Sequence, residues 1–411
     1  MTALPSTDQS LNLPPILTAA RERALLYTLL ALQFTVIVDF MIMMPLSSEL
    51  MSVFNIQPSQ FGLLVSSYSL AAGVSALLAS AIADRFDRRH ALLISYVGLM
   101  IATLGCALAS SYELLLIARI VAGFFGGVIS AIIMALIGDI IPLQRRGHAM
   151  GIVMMGFSLA AVAGVPAGLY MANHFSWQAP FTFLVIASVV VLSICFVVVP
   201  NVREHLSQPR TNILQSYVEL FSVPNHWWGF VTSCLIMFAG FMVIPYIAPT
   251  VIANVGLTDS ALPYIYLVGG AVTLISRPGI ARLTDRYQHA KVLMFITLAS
   301  FVPIILVTQT FKTTLAIQLI FAALFFIFVS GRFIPCSALI IASCELRFRG
   351  RVMAFNSAVQ NFGSGLAALI SGAIMVKAPT GEILHFDWVG FIACAISLVA
   401  IYTAMKIKAV S

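Results

Sequence analysis

The sequence predicts an all-α membrane protein: twelve transmembrane helices in two pseudo-symmetric six-helix bundles, with both termini cytoplasmic. Three observations predict it. First, 60% of the 411 residues are hydrophobic and only 9% are charged, which is more apolar surface than a soluble core can enclose. Second, the charged stretch Asp84-Arg85-Phe86-Asp87-Arg88-Arg89, set between two apolar runs, has an echo in the second half, Asp285-Arg286-Tyr287-Gln288-His289. Each is followed at nearly the same offset by a further basic segment, Gln144-Arg145-Arg146-Gly147-His148 and Phe348-Arg349-Gly350-Arg351. Such halves imply a duplicated unit, and duplicated halves in membranes enclose a pathway between them. Third, the Lys and Arg residues between apolar runs alternate in density. Only Lys312 and Lys377 fall on the sparse side, so the dense side, which holds both termini, is cytoplasmic.

Taken in order, apolar runs of span length cover residues 25–46, 61–83, 92–109, 114–137, 150–172 and 179–199, then 228–251, 262–281, 292–308, 315–341, 353–376 and 388–405. These give a cytoplasmic tail (1–23), an N-terminal bundle (24–200), a polar cytoplasmic linker (201–225), a C-terminal bundle (226–406) and a short tail (407–411). No cleavable leader is visible at the polar N-terminus. The net charge of +7 is the topology signal just described, and no nucleic-acid partner is expected. Cys106, Cys195, Cys234, Cys336, Cys344 and Cys394 share no C-x-x-C spacing and read as small apolar residues, with no metal expected. Gly123-x-x-x-Gly127, Gly164-x-x-x-Gly168 and the run Gly363, Gly365, Ala368, Gly372 suit close helix approach. Gly363-x-Gly365-x-x-Ala368 follows no strand, so it is packing and not a dinucleotide site.

Within the apolar runs the charged residues carry the functional argument. Asp39 lies about fourteen residues into the first run, roughly 21 Å along a helix from its cytoplasmic edge. A carboxylate there is costly to keep ionised, so it either exchanges protons or cationic groups, or it is satisfied by a neighbouring hydroxyl or arginine in a structural role. Arg119, about one and a half turns into the fourth run, cannot shed its charge and needs a cavity or a partner. Arg332, in the tenth run, either faces the cavity, where it would attract an anionic or zwitterionic group, or pairs with Asp39. Arg277 is two turns from Asp285, and its spacing predicts snorkelling to the interface. The candidate cavity liners are Phe40, Met43, Tyr68, Phe157, Tyr246, Tyr266, Gln360 and Asn361, and Pro245 and Pro249 predict a kinked seventh span.

These residues resemble the major facilitator superfamily, and within it the twelve-span drug:proton antiporters, including the sugar- and arabinose-efflux-like branch. The loop pattern Gly-x-x-x-Asp-Arg-x-Gly-Arg-Arg stands here as Ser80-Ala81-Ile82-Ala83-Asp84-Arg85-Phe86-Asp87-Arg88-Arg89, with Ser80 and Asp87 in place of glycines. The fourth-span motif appears as Arg119-Ile120-Val121-Ala122-Gly123, and the first-span motif as Asp39 followed by Pro45. The antiporter motif appears as Gly156 and then Gly164-Val165-Pro166-Ala167-Gly168. The resemblance implies alternating access, proton coupling through Asp39 and Arg119, and efflux of a small molecule, with multidrug transport among the expected activities. It also implies a cytoplasmic gate in which Asp84 and Arg85 sit against the eleventh span, Arg88 pairs with Asp139, and Asp285, Arg286 and Glu345 do the same in the second half.

No phosphate-binding loop is present, so the expected energy source is an ion gradient; protons are the coupling ion and no cofactor is expected. Expected partners are a small-molecule substrate and the lipid bilayer, with a monomer in the bacterial inner membrane. Uptake symport or facilitated passage of a small polar metabolite is the alternative. A membrane-embedded enzyme is disfavoured because the seven histidines lie at span ends or in loops; no catalytic residue is assigned.

Overall fold

Inside lipid a chain must satisfy its own backbone N–H and C=O groups, and the long apolar runs do this as helices. The computed structural model describes residues 18–82, 87–202, 218–345 and 348–408. Helix α1 (Ala19–Met41) begins at Thr18, whose hydroxyl accepts from the Arg21 N–H at 3.4 Å, with Glu22 complementing the helix dipole in the first turn. The short α2 (Ser47–Val53) leads into α3 (Pro58–Ile82). Asp87 caps α4 (Arg88–Ala107), accepting the Arg89 N–H at 2.9 Å. Ser111 caps α5 (Tyr112–Ile140) in the same way, from Leu114. Pro166 lacks the N–H that would continue a regular helix, and the chain answers with a π turn, Ala160–Gly164, between α6 (Leu143–Leu159) and α7 (Val165–His174); the Val165 N–H bonds the Ala160 carbonyl. Helix α8 (Ala179–Val198) closes the first set.

Prolines punctuate the second set more heavily. After α9 (Pro224–Val243), Pro245 and Pro249 break the span into a 3-10 turn (Ile244–Tyr246), the short α10 (Ile247–Thr250) and a π turn (Val251–Val255). Helix α11 (Leu262–Arg286) tolerates Pro278 in its interior. The next span bends at Ser300 into α12 (His289–Ala299) and α13 (Phe301–Thr308), ahead of Pro303. Another bends at Arg332 into α14 (Leu315–Gly331) and α15 (Phe333–Ala342), ahead of Pro335. Helix α16 (Arg349–Ile374) runs to a two-residue antiparallel pair, β1 (Val376–Lys377) with β2 (Ile383–Leu384), and α17 (Phe386–Met405) ends the fold.

Among the described residues, eleven helical stretches are long and apolar enough to cross a membrane, where the sequence predicts twelve. The difference is α16. It is 26 residues long, but it carries Asn356, Gln360, Asn361, Ser364 and Ser371 and is packed between α3 and α9, which relieves it of facing lipid on those sides. Of the expected linker, residues 203–217 lie outside the described residues, as do Asp84 and Arg85 of the expected gate.

The starts of α1 and α6 share one face, where Glu22 and Arg145 meet at 2.9 Å. There too, the Asn225 amide at the start of α9 donates to the Lys408 carbonyl near the chain's end at 2.6 Å. Away from this terminal face, one apolar core runs through both halves of the chain, joining Met43, Leu50 and Phe61 to Met242, Tyr246 and Ile247. Toward the terminal face the core divides. One cluster holds Leu29, Leu92, Ile133 and Val153, and another holds Phe230, Leu293, Ile340 and Val352. Glycines record the same change. A Cβ on Gly270 of α11 would come within 2.6 Å of the Ala161 carbonyl, whereas Gly151 of α6, toward the terminal face, has nothing within 4 Å of that position. The halves are therefore sealed on the far face and parted toward the terminal face.

Candidate functional site

Asp39, near the end of α1, is fully buried, and the fold supplies its partners from two other helices. Arg119 of α5 donates through one nitrogen, Nη1, to both the Asp39 Oδ2 and the Asp39 backbone carbonyl, each at 3.0 Å. The Thr103 hydroxyl of α4 stands 3.0 Å from the other carboxylate oxygen and 2.9 Å from the Leu99 carbonyl. Arg119 is equally buried, and its Nε and Nη2 have no hydrogen-bond partner. A guanidinium in apolar surroundings is held instead by what lies against its plane: its Cζ is 4.3 Å from the centroid of the Tyr68 ring. That approach depends on Gly123, since a Cβ there would strike the Tyr68 backbone.

From Tyr68 the contacts continue across the molecule. Phe40, adjacent to Asp39, stacks on Tyr68 with centroids 5.1 Å apart and on Phe241 of α9 at 5.8 Å. A continuous row of charge and rings, Arg119–Tyr68–Phe40–Phe241, thus joins the buried ion pair to the second half. The glycines of the antiporter motif set the seat of α1. A Cβ on Gly156 would come within 3.2 Å of the Phe34 N and 3.4 Å of the Leu30 carbonyl, one on Gly164 would meet Val38 and Phe34, and one on Gly168 would meet Ile42. Larger residues there would push α1, and Asp39 with it, off α6 and α7; Pro166 contributes the π turn between them.

The remaining predicted liners divide by depth. Met43 and Tyr246 belong to the far-face seal, and Tyr246 donates to the Ala368 carbonyl at 2.7 Å. Tyr266 packs edge-on against Phe326, its hydroxyl without a hydrogen-bond partner. The Gln360 amide donates to the Ser233 hydroxyl at 2.9 Å, tying α16 to α9, and the Asn361 amide bonds back to the Ser357 carbonyl.

Arg332 pairs differently from one of the roles its sequence leaves open. Asp39 is occupied by Arg119 and Thr103, and Arg332 instead donates to the Ser397 hydroxyl of α17 at 3.0 Å, fully enclosed within the second half and with Nη2 unpartnered. The reason is the helix break before Pro335, which turns the Arg332 side chain toward α9 and α17. Arg277 also departs from its sequence reading. It does not reach for the interface: its Nη1 donates to the Ser158 hydroxyl at 2.7 Å, and its Cζ lies 5.5 Å from the Phe157 centroid. Both partners belong to the other half of the chain, which no spacing within α11 reveals.

At the terminal face, the Arg88 Nε lies 3.0 Å from the Asp139 Oδ2, a pair within the first half. Asp285 and Arg286 are exposed, with Arg286 over the Tyr287 ring, and Glu345 follows α15 at the edge of the described residues.

Comparison with known proteins places this geometry. The family model described as Major Facilitator Superfamily matches residues 29–328 and 280–408. An uncharacterized MFS-type transporter, YceJ of Bacillus subtilis, is 25% identical over 351 residues, covering 83% of this chain and 87% of that protein. A probable sugar efflux transporter of Pasteurella multocida is 24% identical over 251 residues, 61% of this chain and 60% of that protein. Among solved structures, a D-xylose-proton symporter superposes with a TM-score of 0.77 at 18% identity, over 94% of this chain and 97% of that one.

Proposed function

Because this chain belongs to the major facilitator superfamily, and is a secondary transporter and not an enzyme, we propose that it couples proton entry to efflux of a small molecule by alternating access. The observation that carries the proposal is the buried trio Asp39, Arg119 and Thr103. Asp39 is the one acid among the described residues with no solvent exposure, and its ionised form is neutralised by a single guanidinium. Protonation of Asp39 releases Arg119 from its carboxylate contact and leaves a permanent cation with a backbone carbonyl and the face of Tyr68 for support. That state is costly in a dry site, so Arg119 must move or be met by other groups. The ring row through Phe40 to Phe241 gives such a movement a route to the second half, which is the element alternating access requires.

The arginine-rich terminal face is cytoplasmic on this reading, so the described arrangement is open inward and sealed outward. Helix α16 then serves as the twelfth span, and residues 24–200 and 226–406 form the two bundles that rock about the site. Asp84, Arg85, Arg88 and Asp139 in the first half, with Asp285, Arg286 and Glu345 in the second, would close the inner side in the outward-open state. Efflux, and not uptake, is favoured by the Gly164-Val165-Pro166-Ala167-Gly168 segment and by the likeness to a probable sugar efflux transporter. The protein would act as a monomer in a bacterial inner membrane, using protons and no cofactor.

The test is transport in proteoliposomes with an imposed pH gradient, screened over sugars, organic acids and drugs, with internal pH followed alongside. Substrate movement opposite to proton movement supports the proposal. Substrate flux that leaves internal pH unchanged would overturn it.

A further inference from the structure

Deep in the spans stand Arg119, Arg277 and Arg332, against one fully buried acid, Asp39, which is taken by Arg119. The interior therefore carries surplus positive charge. Arg332 is sealed inside the second half in this state, so its charge is not available for contact here. Arg277 is different in three respects. It is only partly buried; it stands between the halves, hydrogen-bonded to Ser158 and set over Phe157; and it marks the level at which the halves part. On α11, Gly270 is jammed against the backbone of Ala161 and Val162, and Arg277 follows on the same face two turns later. On α6, Ser158 precedes the tight contact, and Gly151, on the same face two turns toward the terminal face, has nothing within 4 Å of its Cβ position. Arg277 thus sits at the blind end of the space that opens between the halves.

We infer that Arg277 is the recognition residue for an anionic substrate group, a carboxylate or a phosphate, in this inter-half space. The inference rests on the transporter reading and narrows its substrate class. A guanidinium offers five N–H donors in a planar fork, and here one hydroxyl is the hydrogen-bond acceptor described for it. Ser158 is a neutral placeholder that an oxyanion, which accepts two parallel bonds, displaces. Because Arg277 belongs to one half and Ser158 and Phe157 to the other, exchanging Ser158 for a substrate anion also removes a tie between the halves. Binding and release of the two halves are then one event.

The experiment reads the field and the ligand without any gradient, so it stands or falls apart from proton coupling. Met154, one turn from Ser158 on the same face of α6 and exposed, is replaced by cysteine in the full chain, and its labelling is measured over that of the parent protein. The rate with anionic 2-sulfonatoethyl methanethiosulfonate, relative to the cationic trimethylammonium reagent and normalised to a small free thiol, is expected to rise about tenfold or more. Arg277→Gln should return the ratio to that of the free thiol, and Arg277→Lys should keep it. Gluconate or glucose 6-phosphate, but not glucose, should slow the labelling, with the two anions separating carboxylate from phosphate. Ser158→Ala should make that protection severalfold tighter, a gain that damage to the fold cannot produce. A reporter that reacts with neither reagent, a ratio indifferent to Arg277→Gln, or equal protection by glucose would each overturn the inference.

Discussion

Tyr246 and Gly62 meet across the two halves of the molecule: a Cβ on Gly62 would come within 2.5 Å of the Tyr246 hydroxyl and 2.6 Å of the Ala368 carbonyl. The same hydroxyl closes on Gly372 of α16 and stands 3.4 Å from the Pro58 carbonyl at the start of α3. The far-face seal is thus a tyrosine tip seated between two glycines, one from each half.

Gly62→Ala should prise that seal open. One methyl forced into close packing costs about 1–3 kcal/mol, enough to move a balanced two-state equilibrium about fivefold or more toward the form open on this face. Spin labels at Ser52 and Glu382, exposed residues of the far face, should show a longer distance population than in the parent. Unchanged distributions would mean that the seal yields locally without separating the halves.

A pH dependence follows on the same face. Glu49 of α2 is half-buried; burial, and next the repulsion of Asp259 from the other half, hold its carboxyl above the ordinary glutamate range, while the Trp177 backbone hydrogen bond opposes them. A raised acid favours the state that keeps its proton, so the sealed form gains below the ordinary glutamate value and loses as pH rises through the raised one. Spin-label distances across the far face should lengthen between pH 4 and pH 8, and Glu49→Gln should abolish the change. Equal pH dependence in the Gln variant would place the titration elsewhere.

Asp39→Asn should abolish gradient-driven transport while the protein still folds, because asparagine keeps the contact to Thr103 and cannot take up or release a proton. Downhill exchange of substrate should persist. Uphill transport with unaltered pH dependence in the variant would remove Asp39 from the coupling path.

That Asp39 and Arg119 each need a buried partner was legible in the sequence, because a charge in an apolar run is conspicuous, although the partner it offered for Asp39 was Arg332 and not Arg119. Thr103 was not, since a threonine in a span is ordinary until a carboxylate is found 3.0 Å away. Arg277 misled: its nearness to Asp285 along the chain predicted snorkelling, while its actual partner, Ser158, is 119 residues away. The proline breaks in the seventh span could be foreseen from Pro245 and Pro249, yet which tyrosine and which glycines form the seal could not. Small residues announce close approach but do not name what approaches. Helix α16 shows the converse, since its polar residues lower its apolarity while its neighbours α3 and α9 shield them.

Arg332 offers the last prediction, because its burial and its chemistry pull in opposite directions. The guanidinium is wholly enclosed, bonded to Ser397, with one nitrogen unpartnered and no carboxylate beside it among the described residues. An uncompensated buried charge costs several kcal/mol, and an apolar residue of similar length commonly relieves the cost by about 1–4 kcal/mol. Arg332→Met should therefore raise the melting temperature of the detergent-solubilised protein by a few degrees. A residue retained against stability is retained for something else, so the same variant should lose transport, and Arg332→Gln should lose it more for anionic than for neutral substrates. The proposed cause is that the break at Arg332, between α14 and α15, lets the side chain turn toward the substrate path in another state of the cycle. A melting temperature that falls by several degrees would instead show the guanidinium bracing α14, α15 and α17, and wild-type transport by a stabilised Met variant would show that the charge serves neither purpose.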